Sequence, residues 1–225
     1  MFRDRRDAGR ALARAIAELP DLKDAVVLGL PRGGVPVAFE VARACGLPLD
    51  ILLVRKLGVP GQEELAMGAI ASGGTVVLNQ RILRATHVPR ETLRAVVGRE
   101  KHEMDRREHA FREGREPIAI EGKTVILVDD GLATGASMRA AARAVRARAR
   151  QVIIAVPVGA KSTCKALEGE ADLVFCLFTP EPLDAVSQFY REFEQTSDEE
   201  VRELMREGLR DVGTGDQGID GVKRG

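Results

Sequence analysis

Tryptophan is missing from this chain of 225 residues, tyrosine occurs once, and the formal net charge is zero. With basic and acidic residues in balance, no long-range field draws the molecule towards nucleic acid or an anionic membrane. An anionic ligand must therefore be held by local groups. Cysteine is scarce as well. Cys45, Cys164 and Cys176 show neither CxxC nor metal-ligand spacing, which speaks against a disulfide framework and suits a reducing compartment. Apolar runs such as Val152–Val158 fall far short of the roughly 20 residues that a membrane helix needs. The Arg-rich residues 2–19 are broken by Asp4, Asp7 and Glu18, and no apolar signal core follows them. They read as an amphipathic helix with Ala8, Leu12, Ala15, Ile16 and Leu19 inward, and the cytoplasm is the expected location. What remains is ordinary globular composition, 44% hydrophobic and 30% charged. One domain over residues 1–210 is expected, able to bury its core without staples, followed by a Gly-rich, polar and disordered tail at 211–225.

Along the chain, short apolar runs alternate with helical patterns. The runs are Ala25–Leu28, Asp50–Val54, Thr75–Leu78, Thr124–Val128, Val152–Val156 and Leu173–Leu177, and the helices are expected at 34–45, 89–113, 136–149 and 160–169. Runs nearly continuous in Val, Ile and Leu suit strands covered on both faces, and the alternation implies an α/β fold with a doubly wound, mainly parallel sheet. Ligands of such sheets bind beyond the carboxyl ends of the strands. Residues 81–116 are the most charged region, with a thin stripe of Leu93, Val97, Met104 and Phe111, and read as an inserted helix lying on the surface. Its mixed signs do not make a nucleic-acid stripe, and His102 and His109 on it are solvated. Ser197-Asp198-Glu199-Glu200 is a capping box opening a last helix to about Leu209.

The most informative stretch runs from Val125 to Met138. A buried strand ends in Asp129 and Asp130, and a turn through Ala133, Thr134, Gly135, Ala136 and Ser137 opens a helix. Amides at a helix N-terminus favour an anion, and Gly135 permits close approach of the backbone. Thr134 and Ser137 add hydroxyl donors. The turn lacks the lysine of a P-loop, so it suits a monophosphate. Ionised Asp129 and Asp130 only accept hydrogen bonds and match a pair of sugar hydroxyls. Phosphate cradle and paired acids together point to a phosphorylated sugar. A plain helix cap would explain one hydroxyl residue but not two acids.

This stretch resembles the ribosyl-phosphate signature of the type I phosphoribosyltransferases: apolar strand, two acids, then a small-residue loop ending in Thr-Gly-x-Ser. The resemblance covers about residues 25–178 and extends to a group of predicted phosphoribosyltransferases of unassigned substrate. It implies that Asp129 and Asp130 bind the ribose hydroxyls, and through ribose or water a Mg²⁺ carried on phosphoribosyl pyrophosphate, while 133–137 bind the 5-phosphate. Leu30-Pro31-Arg32-Gly33-Gly34 resembles the family's pyrophosphate loop, with Pro31, Gly33 and Gly34 shaping it, Arg32 donating, and Arg32–Gly33 matching the position of a non-proline cis peptide. Arg55-Lys56 resembles the pair ahead of a mobile catalytic loop, here about 57–66, and Lys56 would meet the pyrophosphate. The loop lacks the Lys and His of orotate-type enzymes, and Ala133 stands where hypoxanthine–guanine enzymes have an acid.

The implied activity is a pentosyl transfer from phosphoribosyl pyrophosphate to a nitrogenous acceptor such as a nucleobase. Arg32, Lys56, Asp129 and Asp130 would carry it, and Glu63 and Glu64 are candidates for a general base. Residues 1–24 and 179–210 would form a hood that selects the acceptor. Phe175, Phe178, Phe189, Tyr190 and Phe193 gather near it, as core or as a platform for a base. A homodimer is compatible with such a chain. Two other readings stay open: a regulatory module that senses phosphoribosyl pyrophosphate without turnover, and a phosphosugar hydrolase or phosphorylase on the same scaffold.

Overall fold

A computed structural model describes residues 1–20 and 22–213, with residues 210–213 as backbone alone. Five parallel strands form the central sheet in the order β2 (Leu49–Ile51), β1 (Ala25–Gly29), β6 (Thr124–Val128), β7 (Gln151–Val158) and β8 (Leu173–Phe178). Alternation along these strands divides the apolar residues between two layers. On one face Val27, Ile126, Val128 and Ile153 pack with Leu12 and Ile16 of α1 (Arg5–Ile16), Phe39 of α2 (Gly34–Cys45), and Val201 and Leu204 of α7 (Asp198–Gly213). On the other, Val26, Leu28, Leu127 and Ile154 pack with Met138 and Val145 of α5 (Ala136–Arg146) and Leu167 of α6 (Lys161–Leu167). The sheet is covered on both sides, as expected.

Register matters most for function. Gly29 lies opposite Val128, so β1 and β6 end level, and the Leu30 amide donates to the Val128 carbonyl at 2.9 Å. The turns after these two strands therefore start side by side.

The run 50–54 is not one strand. It divides between β2 and β3 (Val54–Val59), which belongs to a separate antiparallel sheet with β4 (Gln62–Ala71) and β5 (Thr75–Leu78). The chain leaves the parallel sheet at Leu52, whose amide bonds Gly29 at 3.1 Å, and at Leu53, whose amide is taken by the Ser72 hydroxyl at 2.8 Å. The 57–66 segment expected as a loop is thus mostly hairpin: Val59 pairs with Gln62 across Pro60-Gly61, where Gly61 takes φ 78°. The turn signal is present in the sequence, but the strands beside it are too Gly- and Glu-rich to read as apolar runs.

The short α3 (Gln80–Thr86) leads to α4 (Arg90–Arg112), which is anchored more firmly than a surface helix. Its Val96, Met104 and Phe111 are buried, and buried Arg112 pairs with buried Asp50 of β2 at 2.8 Å. The N-terminus of α7 is capped by the Ser197 hydroxyl, which accepts from the Glu200 amide at 3.0 Å. This helix continues to Gly213, past the start of the expected tail at 211, and residues 214–225 of that tail lie outside the described residues. The segments expected as a hood touch each other: the Phe2 amide donates to the Phe189 carbonyl at 2.8 Å, and the Arg191 amide to the Phe2 carbonyl at 2.9 Å.

Cys164 on α6 and Cys176 on β8 bring their sulfur atoms together, while Cys45 stands apart. Twelve residues separate the pair, and α6 folds back directly against β8, a proximity that spacing alone does not reveal. Among the described residues no helix is long and apolar enough to cross a membrane.

Candidate active site

β6 delivers Asp129 and Asp130 to the carboxyl edge of the sheet, both half-buried, and the two carboxylates meet different surroundings. Asp129 Oδ1 accepts from the Asp130 amide at 2.9 Å. Withdrawal from solvent and the neighbouring Asp130 charge push the Asp129 carboxyl well above its usual range. Asp130 Oδ2 is held at 2.8 Å by Nε of Arg5, from the start of α1. The Asp130 carbonyl accepts from the hydroxyl of Tyr190 at 2.6 Å.

The following turn leaves the mouth of α5 open. Gly135 is the N-cap with φ 67°, and among the described residues no side chain caps the helix there. A small cavity of about 130 Å³ sits at this mouth, bounded by Asp129, Ala133, Thr134, Gly135, Ala136 and Ser137, with the Thr134 and Ser137 side chains exposed. The back of the turn is pinned. The Thr163 hydroxyl donates to the Ala133 carbonyl at 2.7 Å, and Leu132 pairs with Gly159 of the next strand's exit. A Cβ on Gly135 would fall 2.6 Å from the Thr163 methyl, so the residue answers both to its φ and to this contact.

The 31–34 turn presses directly on the acids. A Cβ on Gly33 would lie 2.1 Å from Asp130 Oδ2, and one on Gly34 would lie 2.7 Å from the Val128 carbonyl oxygen. At Gly34 two backbones share one space, and at Gly33 the Asp130 carboxylate fills it, a reason for glycine that local sequence does not supply. The non-proline cis peptide falls at Pro31–Arg32, one bond earlier than Arg32–Gly33. The Gly34 amide is spent on the Leu30 carbonyl at 3.0 Å, and the Arg32 guanidinium reaches Asp198 of α7 at 3.4 Å.

Arg55 and Lys56 open β3 rather than closing β2, and strand alternation sends them apart. Arg55 pairs with Glu100 of α4 at 2.7 Å. Lys56 is exposed and borders a larger cavity of about 370 Å³ between the antiparallel sheet and α5, which Ala136 and Ser137 also line. Glu63 and Glu64 are exposed on the hairpin, and the Glu63 carboxylate accepts from the Gly61 amide at 3.1 Å within its own turn.

The structure thus joins Gly33 and Gly34 to Asp129 and Asp130, and Lys56 to the margin of the 133–137 loop. Arg32 is turned to Asp198. Three contributors carry little signal in the sequence. Arg5 looks like any charge on an amphipathic helix, and Thr163 like any residue of a short one. Tyr190 stands among the aromatics, yet it is buried between Phe2 and Phe193, at ring distances of 5.6 and 4.8 Å, as a brace for the Asp130 backbone. Burial raises its hydroxyl pKa, keeping it a donor.

Comparison with known proteins agrees with this geometry. The family model described as phosphoribosyl transferase domain matches residues 3–180. Two Mycobacterium tuberculosis proteins, each named "Putative phosphoribosyl transferase", are 50% identical over 212 residues, which is 94% of this chain and 48% of theirs. The chain therefore spans about half the length of these curated relatives. The crystal structure of TT1426 from Thermus thermophilus is 43% identical, covers 92% of this chain and 98% of its own, and superimposes with a TM-score of 0.81.

Proposed function

The chain belongs to the phosphoribosyl transferase family, and on that premise we propose that it transfers the ribosyl 5-phosphate group from phosphoribosyl pyrophosphate to a nitrogenous acceptor. The observation that carries this reading is the interlock of Gly33 and Gly34 with Asp129 and Asp130 beside the uncapped mouth of α5. The phosphate, sugar and leaving-group sites would then adjoin at the level ends of β1 and β6.

In this reading the free amides of α5, with Thr134 and Ser137, hold the 5-phosphate. Asp129 and Asp130 hold the ribose hydroxyls and fix the ring. As the acceptor nitrogen bonds to the anomeric carbon, the carbon–oxygen bond to pyrophosphate breaks, and its electron pair leaves with pyrophosphate. The acceptor's surplus proton passes to water or a base. Lys56, exposed on the cavity that Ser137 also lines, would offer a cation to the departing charge. Arg32 can join it by leaving Asp198, because so long and exposed an ion pair is worth little, at most about 1 kcal/mol. Among the described residues no group of three or more His, Cys, Asp or Glu side chains could hold a metal. Asp129 and Asp130, acceptors only when ionised, would reach a Mg²⁺ carried on the diphosphate through sugar or water. When bound there, the ion would neutralise leaving-group charge.

The test incubates the protein with phosphoribosyl pyrophosphate, Mg²⁺ and a panel of nucleobases and amines, and measures pyrophosphate. Release that depends on an acceptor is the expected result. Binding without release identifies a sensor, and release with water alone identifies a hydrolase; either outcome replaces the proposal.

A further inference from the structure

Arg5 lies outside every motif read for phosphate, ribose or pyrophosphate binding, yet it touches more of the site than Arg32 does. Its Nε donates to Asp130 Oδ2 at 2.8 Å, and this side chain is only 12% exposed. Its Nη1 donates to the Glu194 carbonyl at 2.5 Å, and its guanidinium lies 3.9 Å from the centre of the Phe193 ring. The Gly33 backbone approaches as well: a Cβ there would sit 3.2 Å from Arg5 Nε. One planar cation thus meets the acid pair, the 31–34 turn and the 193–194 segment together. Among the described residues it is the only cation within ion-pair distance of either acid.

The two ends of this contact differ in stiffness. α1 is locked to α2 by Arg6 and Arg10, which reach buried Glu40 at 2.7 and 3.4 Å, while Arg43 of α2 itself holds Glu40 at 2.6 Å. α2 begins at Gly34, so Arg5 rides on the same body as the 31–34 turn. Phe193 and Glu194 belong to a stretch with neither helix nor strand. We propose that Arg5 is a positioning residue: it holds Asp130 in its sugar-binding orientation, and does so through the seating of residues 193–194. The guanidinium suits this role because its fork serves two acceptors at once while its flat face rests on an aromatic ring. The inference rests on the phosphoribosyl pyrophosphate reading of the acid pair. It adds that the grip on the sugar depends on the terminal segment.

Calorimetric titration of the whole chain with phosphoribosyl pyrophosphate and Mg²⁺ tests it, with Tm measured alongside for the parent, R5K, R5M and F193A. R5M is expected to lose about tenfold or more in affinity, the effect of one lost charge-assisted contact. R5K should recover part of that loss, and F193A, which keeps the arginine but removes its seat, should lose a smaller amount. Partial rescue by lysine distinguishes positioning from packing. Parent-like affinity in R5M, whatever its Tm, overturns the inference and leaves the function standing. Should R5M fold poorly, parent-like affinity in both R5K and F193A overturns it in the same way. A parent protein that does not bind the ligand overturns the function and the inference together.

Discussion

The two sheets differ in how they present charge. The parallel sheet offers Asp129 and Asp130 from a strand whose five residues are all buried, beneath a turn pinned by Thr163 and Tyr190. The antiparallel sheet offers Lys56 from a strand half open to solvent, with register shifts at Gly58. In the proposed reaction, the groups that would define a sugar's position stand on the stiff platform, and the group that would follow a departing anion stands on the yielding one. Precision and adaptability would then be divided between sheets rather than blended in one loop.

The strongest challenge to that division is the D129N/D130N double variant. It should lose phosphoribosyl pyrophosphate affinity by about a hundredfold, the scale of two or more charge-assisted hydrogen bonds, and keep its fold. Calorimetric titration measures this, and unchanged affinity would break the assignment. D129N alone should also raise Tm at neutral pH. The folded state lifts the Asp129 pKa, so between the unfolded and folded values the folded chain binds more protons and stability falls as pH rises. An amide at this position carries no such penalty. Equal Tm values for D129N and the parent from about pH 4 to 8 would show that the acid is not strained.

Next in size is G33A. A methyl 2.1 Å from the Asp130 carboxylate must displace it, so both stability and ligand affinity should fall, stability by roughly 1–3 kcal/mol. Urea unfolding and titration on one sample check the pair. On the other platform, K56M should leave Tm within about a degree because the side chain is exposed, while pyrophosphate release slows about tenfold or more. A large Tm loss in K56M would erase the distinction between the sheets. The smallest effect belongs to Y190F, which removes one hydrogen bond to the Asp130 carbonyl at a cost of about 1 kcal/mol, measurable by urea unfolding.

The sequence shows the stiff platform far better than the yielding one, for a physical reason. β1, β6 and β7 are buried on both faces, so apolar runs mark them almost to the residue, and the acids and small residues after β6 stand out against that background. β3 and β4 are only partly covered, carry Gly58, Gly68, Glu63 and Glu64, and read as loop. The division of 50–54 between two sheets depends on Ser72, which captures the Leu53 amide from 19 positions away. Arg5 is hidden for the same reason: its partners Asp130 and Glu194 lie 125 and 189 residues away, and no local pattern encodes such pairings. The approach of Cys164 to Cys176 likewise needs the fold to bring α6 against β8.

The contact between the 31–34 turn and the acids bears on engineering. Residues 124–146 look like a portable cassette, a strand, a binding turn and a helix that could be grafted to another scaffold. Yet the space beside Asp130 is shaped by a backbone from far earlier in the chain, and any recipient with an alanine at the place of Gly33 would collide with the graft. The transplantable piece is therefore β1 and β6 together with both of their exits, and a fragment lacking either half inherits the motif without the pocket.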